Sequence, residues 1–113
     1  MTKEHTEPLL SLCIPTYNRA VILKENLSIL QGQMSDIDQS DLELIVSNNC
    51  SPDNTEEIVS EYIKRGMSIN YNCNAQNIGS DGNFLRCMKM AKGKYIDEID
   101  VPSSDIEDEL IDE

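Results

Sequence analysis

Segments with the hydrophobic pattern of a buried β-strand alternate in this chain with segments that have the pattern of an amphipathic helix. The first strand-like segment, residues 9–14, is a nearly continuous apolar run that stops at Pro15, as is typical of a strand buried on both faces of a parallel sheet. Further strand-like segments follow at residues 42–47, 69–71 and 94–96, and in the second of these Ile69 and Tyr71 alternate with polar neighbours, as in a half-exposed strand. The order strand, helix, strand, helix, strand, helix, strand predicts a doubly wound α/β fold, with a mainly parallel sheet of about four strands and three flanking helices.

Each predicted helix has one apolar face that we expect to be buried. The residues on these three faces are Leu23, Leu27, Leu30 and Met34; Ile58, Val59, Tyr62 and Ile63; and Phe84, Leu85, Met88 and Ala91. Asp53 and Glu56 have the spacing of a capping box at the start of the second helix, and Ser80 or Asp81 can cap the third. Gly66 stands where the second helix needs a left-handed C-terminal residue.

The 113 residues are enough for one small domain with a hydrophobic core. The net charge of −12 is unevenly distributed, because residues 97–113 hold nine acidic and no basic side chains, whereas residues 1–96 have a net charge of −3. We therefore divide the chain into a polar N-terminal tail (1–8), a domain (9–96) and an acidic C-terminal tail (97–113). The domain lacks a stripe of Lys and Arg suited to a phosphate backbone, so nucleic acid is not an expected partner.

The cysteines and the N-terminus indicate a reduced, cytoplasmic protein. The chain has four cysteines, none of which form a C-x-x-C pair: Cys13, Cys50, Cys73 and Cys87. His5 is the only histidine, so zinc ligation and structural disulfides are not expected. The N-terminus has no apolar signal region, and no run approaches the ~18 apolar residues that a membrane span needs.

Polar residues follow each of the first three predicted strands, and the carboxyl ends of parallel strands are where doubly wound folds bind ligands. The candidate binding residues are Pro15, Thr16, Tyr17 and Asn18; Asn48 and Asn49; and Asn77, Gly79 and Asp81. Asn48 and Asn49 offer donors and acceptors that could read the edge of a nucleobase, or they could satisfy local backbone groups. Asn77, Gly79 and Asp81 precede a helix N-terminus, which favours anions such as a diphosphate. Turn residues also cluster in turns without any binding role.

From the residues alone, these loops indicate a nucleotide or small-molecule binder of doubly wound type. Neither G-x-x-x-x-G-K-[ST] nor G-x-G-x-x-G is present, so the common ATPase and dinucleotide-binding classes are disfavoured.

At three segments the chain resembles the inverting glycosyltransferases of family 2, which have the Rossmann-like GT-A fold. The segments read "LLSLCIPTYNR", "LELIVSNNCSPDNTEEIV" and "NIGSDGNFLRCMKMAKGKYI", and the resemblance covers residues 9–96. The details "CIPTYNR" and "NIGSDGNFL" are most similar to the abequosyltransferase-type branch, which builds bacterial surface polysaccharide. The chain thus resembles the N-terminal, nucleotide-sugar-binding half of a GT-A domain.

The resemblance implies roles for several candidate residues. Pro15, Thr16 and Tyr17 would line the base and ribose of a nucleoside-diphosphate sugar, position 48 would contact the base, and Asp81 would lie near the sugar-nucleotide. The family usually has Asp at position 48. Asn48 keeps an acceptor oxygen but loses the charge, which weakens such a contact by roughly 1 kcal/mol.

After Ile96 the chain departs from the family pattern, which continues with an apolar strand and a D-x-D-type motif that holds Mn²⁺ or Mg²⁺. Here the sequence is "DEIDVPSSDIEDELIDE", in which Asp97 with Asp100 (or Glu98) could be a displaced metal motif or part of a solvated acidic tail. A full family domain is roughly twice this length, and its second half supplies the acceptor site and the catalytic base. We therefore expect a truncated or divergent copy that binds the donor but is inactive alone.

Two alternatives remain open at this point. The first is a non-catalytic remnant or binding module whose acidic tail recruits a partner. The second is a marginal fragment with no activity, since half a sheet leaves a strand edge uncovered and such an edge invites association.

Overall fold

The structure, a computed structural model, describes residues 8–99. It contains four strands, which are β1 (Leu10–Thr16), β2 (Leu42–Asn48), β3 (Ile69–Cys73) and β4 (Tyr95–Glu98). Three helices alternate with them, namely α1 (Ala20–Met34), α2 (Thr55–Lys64) and α3 (Ser80–Met90). The strands form one sheet in the order β3-β2-β1-β4, and every neighbouring pair is parallel. The predicted α/β fold, with about four parallel strands and three helices, is confirmed.

Helices cover both faces of this sheet. Alternate side chains of a strand point to opposite faces, so Leu44 and Val46 pack with α1 and α2, whereas Ile45 packs with Cys13 and Cys87 below α3. The larger cluster lies on the α1 and α2 face and includes the buried stripe of α1. The second cluster is small and contains two thiols, so α3 is held by fewer apolar contacts than the other helices.

The predicted helix faces are right for α1 and partly wrong for the other two helices. Leu23, Leu27, Leu30 and Met34 are all buried. In α2, Ile58, Val59 and Tyr62 are buried, but Ile63 is 42% exposed.

The buried face of α3 is rotated relative to the prediction. Asn83 and Cys87, one helical turn apart, face the sheet, whereas Leu85 is 57% exposed and Met88 is also exposed. Phe84 and Ala91 are half-buried. Hydrogen bonds rather than apolar contacts anchor the first turn of this helix, so a search for an apolar stripe missed its inner face.

Both predicted helix caps are also wrong. The residue before α2 is Asn54, and the side chain of Glu56 accepts a hydrogen bond from Tyr71 instead of closing a capping box. Asp53 accepts from the backbone N–H of Thr55 through Oδ1 and from that of Ala20, at the start of α1, through Oδ2. The residue before α3 is Gly79 (φ 86°), and no side chain caps this helix. Ser80 and Asp81 lie in its first turn.

Gly66 ends α2 as predicted, because its φ of +105° belongs to the left-handed region that glycine adopts without strain. Its N–H donates to the carbonyl of Ile63, and the next N–H, of Met67, donates to that of Tyr62.

β1 continues through Pro15 to Thr16, although the sequence predicted that it would stop at the proline. The carbonyl of Cys13 accepts from Ile99 on the β4 side, and that of Thr16 accepts from Asn49 on the β2 side. Pro15 lies between these alternating positions and therefore faces the β4 side, where the pairing of β1 with β4 has already ended at Cys13. Its missing N–H thus breaks no described ladder bond, which is where a sheet tolerates proline.

β4 lies at one edge of the sheet, and all four of its residues are exposed. It runs two residues beyond Ile96, across the boundary at which we divide the domain from the acidic tail, and that division stays a prediction. Among residues 8–99, no helix combines the length and the apolar character that crossing a bilayer requires.

Candidate functional site

The carboxyl ends of β1, β2 and β3 bring three polar loops to one edge of the sheet. These loops are residues 16–19, 48–54 and 74–79, and we refer to them together as the carboxyl edge. Strand pairing sets their alignment, because Thr16 lies opposite Asn48, which in turn lies opposite Cys73. The structure therefore places most of the predicted binding residues in these neighbouring loops, while Pro15 lies in β1 and Asp81 in the first turn of α3. Whether they bind a ligand stays a prediction.

Hydrogen bonds tie the first loop, and the start of α1 that follows it, to the second loop. Asn18 has a left-handed backbone (φ 53°), and its N–H donates to Oγ of Ser51 over 2.9 Å. At the end of the same turn, the N–H of Ala20 donates to Oδ2 of Asp53 over 3.0 Å. These protein groups thus hold the turn that follows β1, with Tyr17 half-buried within it.

Asn48 is 2% exposed and has protein partners at both ends of its amide. Its Oδ1 accepts from the backbone N–H of Ser51 over 3.0 Å, and its Nδ2 donates to the hydroxyl of Tyr71, also over 3.0 Å. The hydroxyl of Tyr71 in turn donates to Glu56 over 3.2 Å. The residue expected to contact a base is therefore held in a single orientation.

Asn49 joins the second loop to the third. It is 2% exposed, and its Oδ1 accepts from the backbone N–H of Ile78 (2.9 Å) and from Nδ2 of Asn74 (3.0 Å). Its Nδ2 donates to Oδ1 of Asn77 (2.8 Å) and to the carbonyl of Gly79 (3.2 Å). Asn49 and Asn77 thus hold the loop that leads into α3.

Asn83 is a residue of the carboxyl-edge hydrogen bonds that was not predicted from the sequence, although it ends "NIGSDGN" at the start of the third segment quoted above. It is buried in α3, where its Oδ1 accepts from Oγ of Ser47 (2.8 Å) and from Asn74 (3.0 Å). Its Nδ2 donates to the carbonyl of Ser47 over 2.9 Å. Asn72 adds bonds to Ser47 and Asn74. We call this set the asparagine network; its members are Ser47, Asn49, Asn72, Asn74, Asn77 and Asn83.

Two features of the carboxyl edge suit a polar, anionic ligand. Oγ1 of Thr16 is buried, and within the described residues it has no hydrogen-bond partner, a state that buried hydroxyls rarely keep. Gly79 and Asp81 lie exposed at the N-terminus of α3, where the backbone N–H groups and the helix dipole favour a negative group.

The metal candidates do not form a site with the side chains that the structure describes. Asp97 lies exposed in β4 opposite Leu12, and its Oδ1 accepts from the N–H of Glu98. Asp100 lies outside the described residues. Between residues 8 and 99, no three His, Cys, Asp or Glu side chains come together as metal ligands. A metal site formed by Asp97 with Asp100 therefore stays a prediction.

The buried thiols and the phenol near Asn48 stay protonated at neutral pH. Burial raises the pKa of the Cys87 thiol from 9.0 to about 12 and also raises the pKa of Cys13. Desolvation likewise raises the pKa of Tyr71 well above its ordinary value, with a smaller opposing effect from the hydrogen bond of Asn48. These groups therefore serve as structural hydrogen-bonding and packing groups, and none of them is an activated nucleophile.

A parallel sheet in this strand order, flanked by helices and with polar loops at its carboxyl edge, defines the class of Rossmann-like α/β proteins. The sequence pattern described as "Glycosyl transferase family 2" matches residues 11–101, and the chain belongs to this family.

The chain is similar to two bacterial glycosyltransferases of known assignment. It is 39% identical over 88 residues to the abequosyltransferase RfbV of Salmonella typhimurium, a match that covers 77% of this chain and 26% of the relative. It is 36% identical over 95 residues to the GalNAc(5)-diNAcBac-PP-undecaprenol beta-1,3-glucosyltransferase of Campylobacter jejuni, covering 82% of this chain and 29% of the relative. The chain thus spans less than a third of the length of these relatives.

Two solved structures share the fold. The mannosyltransferase PcManGT of Pyrobaculum calidifontis, solved with GDP-Man and Mn²⁺, superimposes with a TM-score of 0.74 at 22% identity, covering 83% of this chain and 27% of that one. S. aureus TarS 1-349, solved with UDP, gives a TM-score of 0.65 at 24% identity, covering 81% of this chain and 27% of that one. The predicted GT-A fold is confirmed.

Proposed function

We propose that the carboxyl edge binds the nucleoside-diphosphate part of a nucleotide-sugar donor, whose sugar is destined for a polysaccharide or lipid-linked acceptor. The observation that carries this proposal is the preorganised edge, in which hydrogen bonds join three loops before any ligand arrives. A binding site that is ordered in advance loses less conformational entropy when its ligand binds. The two relatives of known assignment and the two solved neighbours, one with GDP-Man and the other with UDP, support the ligand class.

Within this site we assign roles by position and chemistry. Thr16, Pro15 and Tyr17 lie on the side of the base and ribose, and Oγ1 of Thr16 gains the partner that it lacks. Asn48 and Asn18 flank the base. The backbone N–H groups near Gly79 and Asp81, at the start of α3, receive the diphosphate.

No sugar-transfer step is assigned to these residues. Inversion at an anomeric carbon needs a carboxylate that deprotonates the acceptor hydroxyl. No described residue is identified as this catalytic carboxylate. We propose donor binding as the function of the described residues. That the chain is an incomplete copy, inactive alone, stays a prediction. A metal contribution through Asp97 and Asp100, a cytoplasmic location and association through the exposed edge of β4 all stay predictions.

The test is a ¹⁵N–¹H correlation spectrum of the 113-residue chain, titrated with UDP, dTDP, CDP and GDP, each with and without Mn²⁺. We expect one nucleotide to shift the signals of residues 16–18 and 48–49 and those at the start of α3. Shifts scattered over the surface, or none with any nucleotide, would contradict the proposal.

Substitution of Thr16 sharpens this test. Thr16→Val keeps the shape of the side chain but removes the hydroxyl, and we expect it to raise the nucleotide Kd about fivefold to tenfold, the value of one hydrogen bond. Thr16→Ser keeps the hydroxyl and should bind nearly as wild type. Equal affinities for the Val and Ser variants would remove Thr16 from the site.

A further inference from the structure

A continuous series of hydrogen bonds crosses the sheet from α2 to the turn after β1. It runs from Glu56 through Tyr71, Asn48 and Ser51 to Asn18, with donor–acceptor distances of 3.2, 3.0, 3.0 and 2.9 Å. We call these five residues the relay. Glu56 is exposed on α2 and Tyr71 lies in β3, so two residues outside the candidate binding set are connected to residues within it.

The direction of each hydrogen bond around Asn48 follows from the groups involved. A backbone N–H can only donate, so the atom of Asn48 that faces the N–H of Ser51 must be the carbonyl Oδ1. The amide nitrogen therefore faces Tyr71 and donates to its oxygen. The single proton of the Tyr71 hydroxyl is then left for Glu56, which has only acceptor atoms when ionised.

We propose that Tyr71 and Glu56 are positioning residues of the nucleotide-binding edge, and that Asn48 and Glu56 are matched to each other through the one proton of Tyr71. The matching of Asn48 and Glu56 is a property of the folded chain itself. The effect on ligand affinity rests on the function proposed above, since it acts through Asn48, Ser51 and the turn at Asn18.

The matching has a definite consequence for a carboxylate at position 48. In Asn48→Asp, one oxygen can still accept from Ser51, but the other faces Tyr71 and needs the proton that Glu56 holds. Two carboxylates then compete for one hydroxyl proton. With Glu56→Gln as well, Tyr71 donates to the new carboxylate at position 48 and accepts from the Gln amide, so every hydrogen bond of the relay is restored, with the two bonds of the Tyr71 hydroxyl reversed in direction.

The first experiment is a double-mutant cycle on urea unfolding, without nucleotide, using Asn48→Asp, Glu56→Gln and the double variant. We expect Asn48→Asp to lower the folding equilibrium constant about tenfold, and Glu56→Gln alone to change it less than about threefold. In the Asn48→Asp background, the same Glu56→Gln change should raise the constant about fivefold. Additive effects of the two substitutions would overturn the matching.

The second experiment measures nucleotide affinity in Tyr71→Phe, with Tyr62→Phe as the matched control. Tyr62 loses the same hydroxyl, but its partner is Ser28 in the contact between α1 and α2, away from the carboxyl edge. We expect both variants to be less stable, and only Tyr71→Phe to raise the nucleotide Kd, about fivefold. Unchanged affinity in Tyr71→Phe would overturn the positioning role.

These outcomes separate the inference from the proposed function. If the wild-type chain binds none of the four nucleotides, the proposed function fails, and the unfolding cycle still decides whether positions 48 and 56 are matched. If the wild type binds and the double variant Asn48→Asp with Glu56→Gln retains its affinity while Asn48→Asp alone loses it, the relay serves the binding site.

Discussion

Asparagine is the side chain on which the carboxyl edge depends, because its amide donates and accepts at once and can join two backbone segments. Asn49 connects four groups in the loop before α3, and Asn83 connects α3 to both the hydroxyl and the carbonyl of Ser47. A carboxylate could make only the accepting half of these bonds. The many Asn residues in the three loops therefore have a structural role in joining the loops to one another.

Asn49→Ala should be among the most disruptive substitutions in the chain. It removes all four hydrogen bonds of a buried amide and leaves Asn74 and the N–H of Ile78 with lost partners. We expect a loss of about 2–4 kcal/mol in the free energy of unfolding, measured by urea denaturation. Asn70→Ala is the control, since its single exposed bond to Glu43 spans 3.4 Å and should be worth less than about 0.5 kcal/mol. Similar losses in the two variants would contradict this account.

At the scale of the elements, hydrophobic periodicity predicted correctly the helix face that apolar packing buries. It did not predict the helix face that polar groups hold against the sheet. The α1 stripe from Leu23 to Met34 came out as predicted because that helix lies entirely on the large core. The inner face of α3 did not, because Asn83 is buried by its partners Ser47 and Asn74, which no local pattern reveals. The polar edge was predictable as a set of loops, but its bonds join residues distant in the sequence.

The junction between α3 and β4 depends on a close approach at Gly93. A Cβ there would lie 2.6 Å from both the backbone nitrogen and Oγ of Ser11, and the N–H of Gly93 donates to that same Oγ. Gly93→Ala should therefore shift β4 away from β1 and lower the free energy of unfolding by about 1–3 kcal/mol.

Gly32→Ala is the matched control for this prediction. Gly32 lies within α1 with open space around it, so the same added methyl group should raise stability by about 0.5–1 kcal/mol through helix propensity. Thermal unfolding of both variants gives the comparison. A neutral Gly93→Ala would show that β4 tolerates the displacement.

At the scale of the whole molecule, the two faces of the sheet differ in how much apolar packing covers them. The α1 and α2 face has a large apolar cluster, whereas the α3 face relies on Cys13, Ile45 and Cys87 together with the asparagine network. Raising the pH through the range in which thiols ionise should therefore lower the stability that the α3 face contributes.

The pKa of Cys87 sets the sign of this response. The folded protein holds the thiol protonated up to about pH 12, whereas the unfolded chain ionises it near pH 9.0. The contribution of the protonated Cys87 thiol to the free energy of unfolding is complete below about pH 9. It is lost as the pH rises from there, by up to about 1.4 kcal/mol per pH unit. Urea unfolding under reducing conditions between pH 7 and 10.5 should show this decline, and Cys87→Ala should reduce it. Cys50→Ala, at an exposed thiol, should leave the decline unchanged; an unchanged decline in Cys87→Ala would contradict the assignment.

The parallel sheet also determines the order in which the molecule can assemble. Leu10 in the interior strand β1 pairs with Leu42 on one side and with Tyr95 on the other. Each of these partners is synthesised only after a long stretch of chain has been made. Pairings between residues so far apart in sequence are slow to form, because a large loop must close before any contact is gained. During synthesis, one edge of β1 therefore stays unpaired until β4 emerges. That interval is when strand pairing between nascent chains competes with folding.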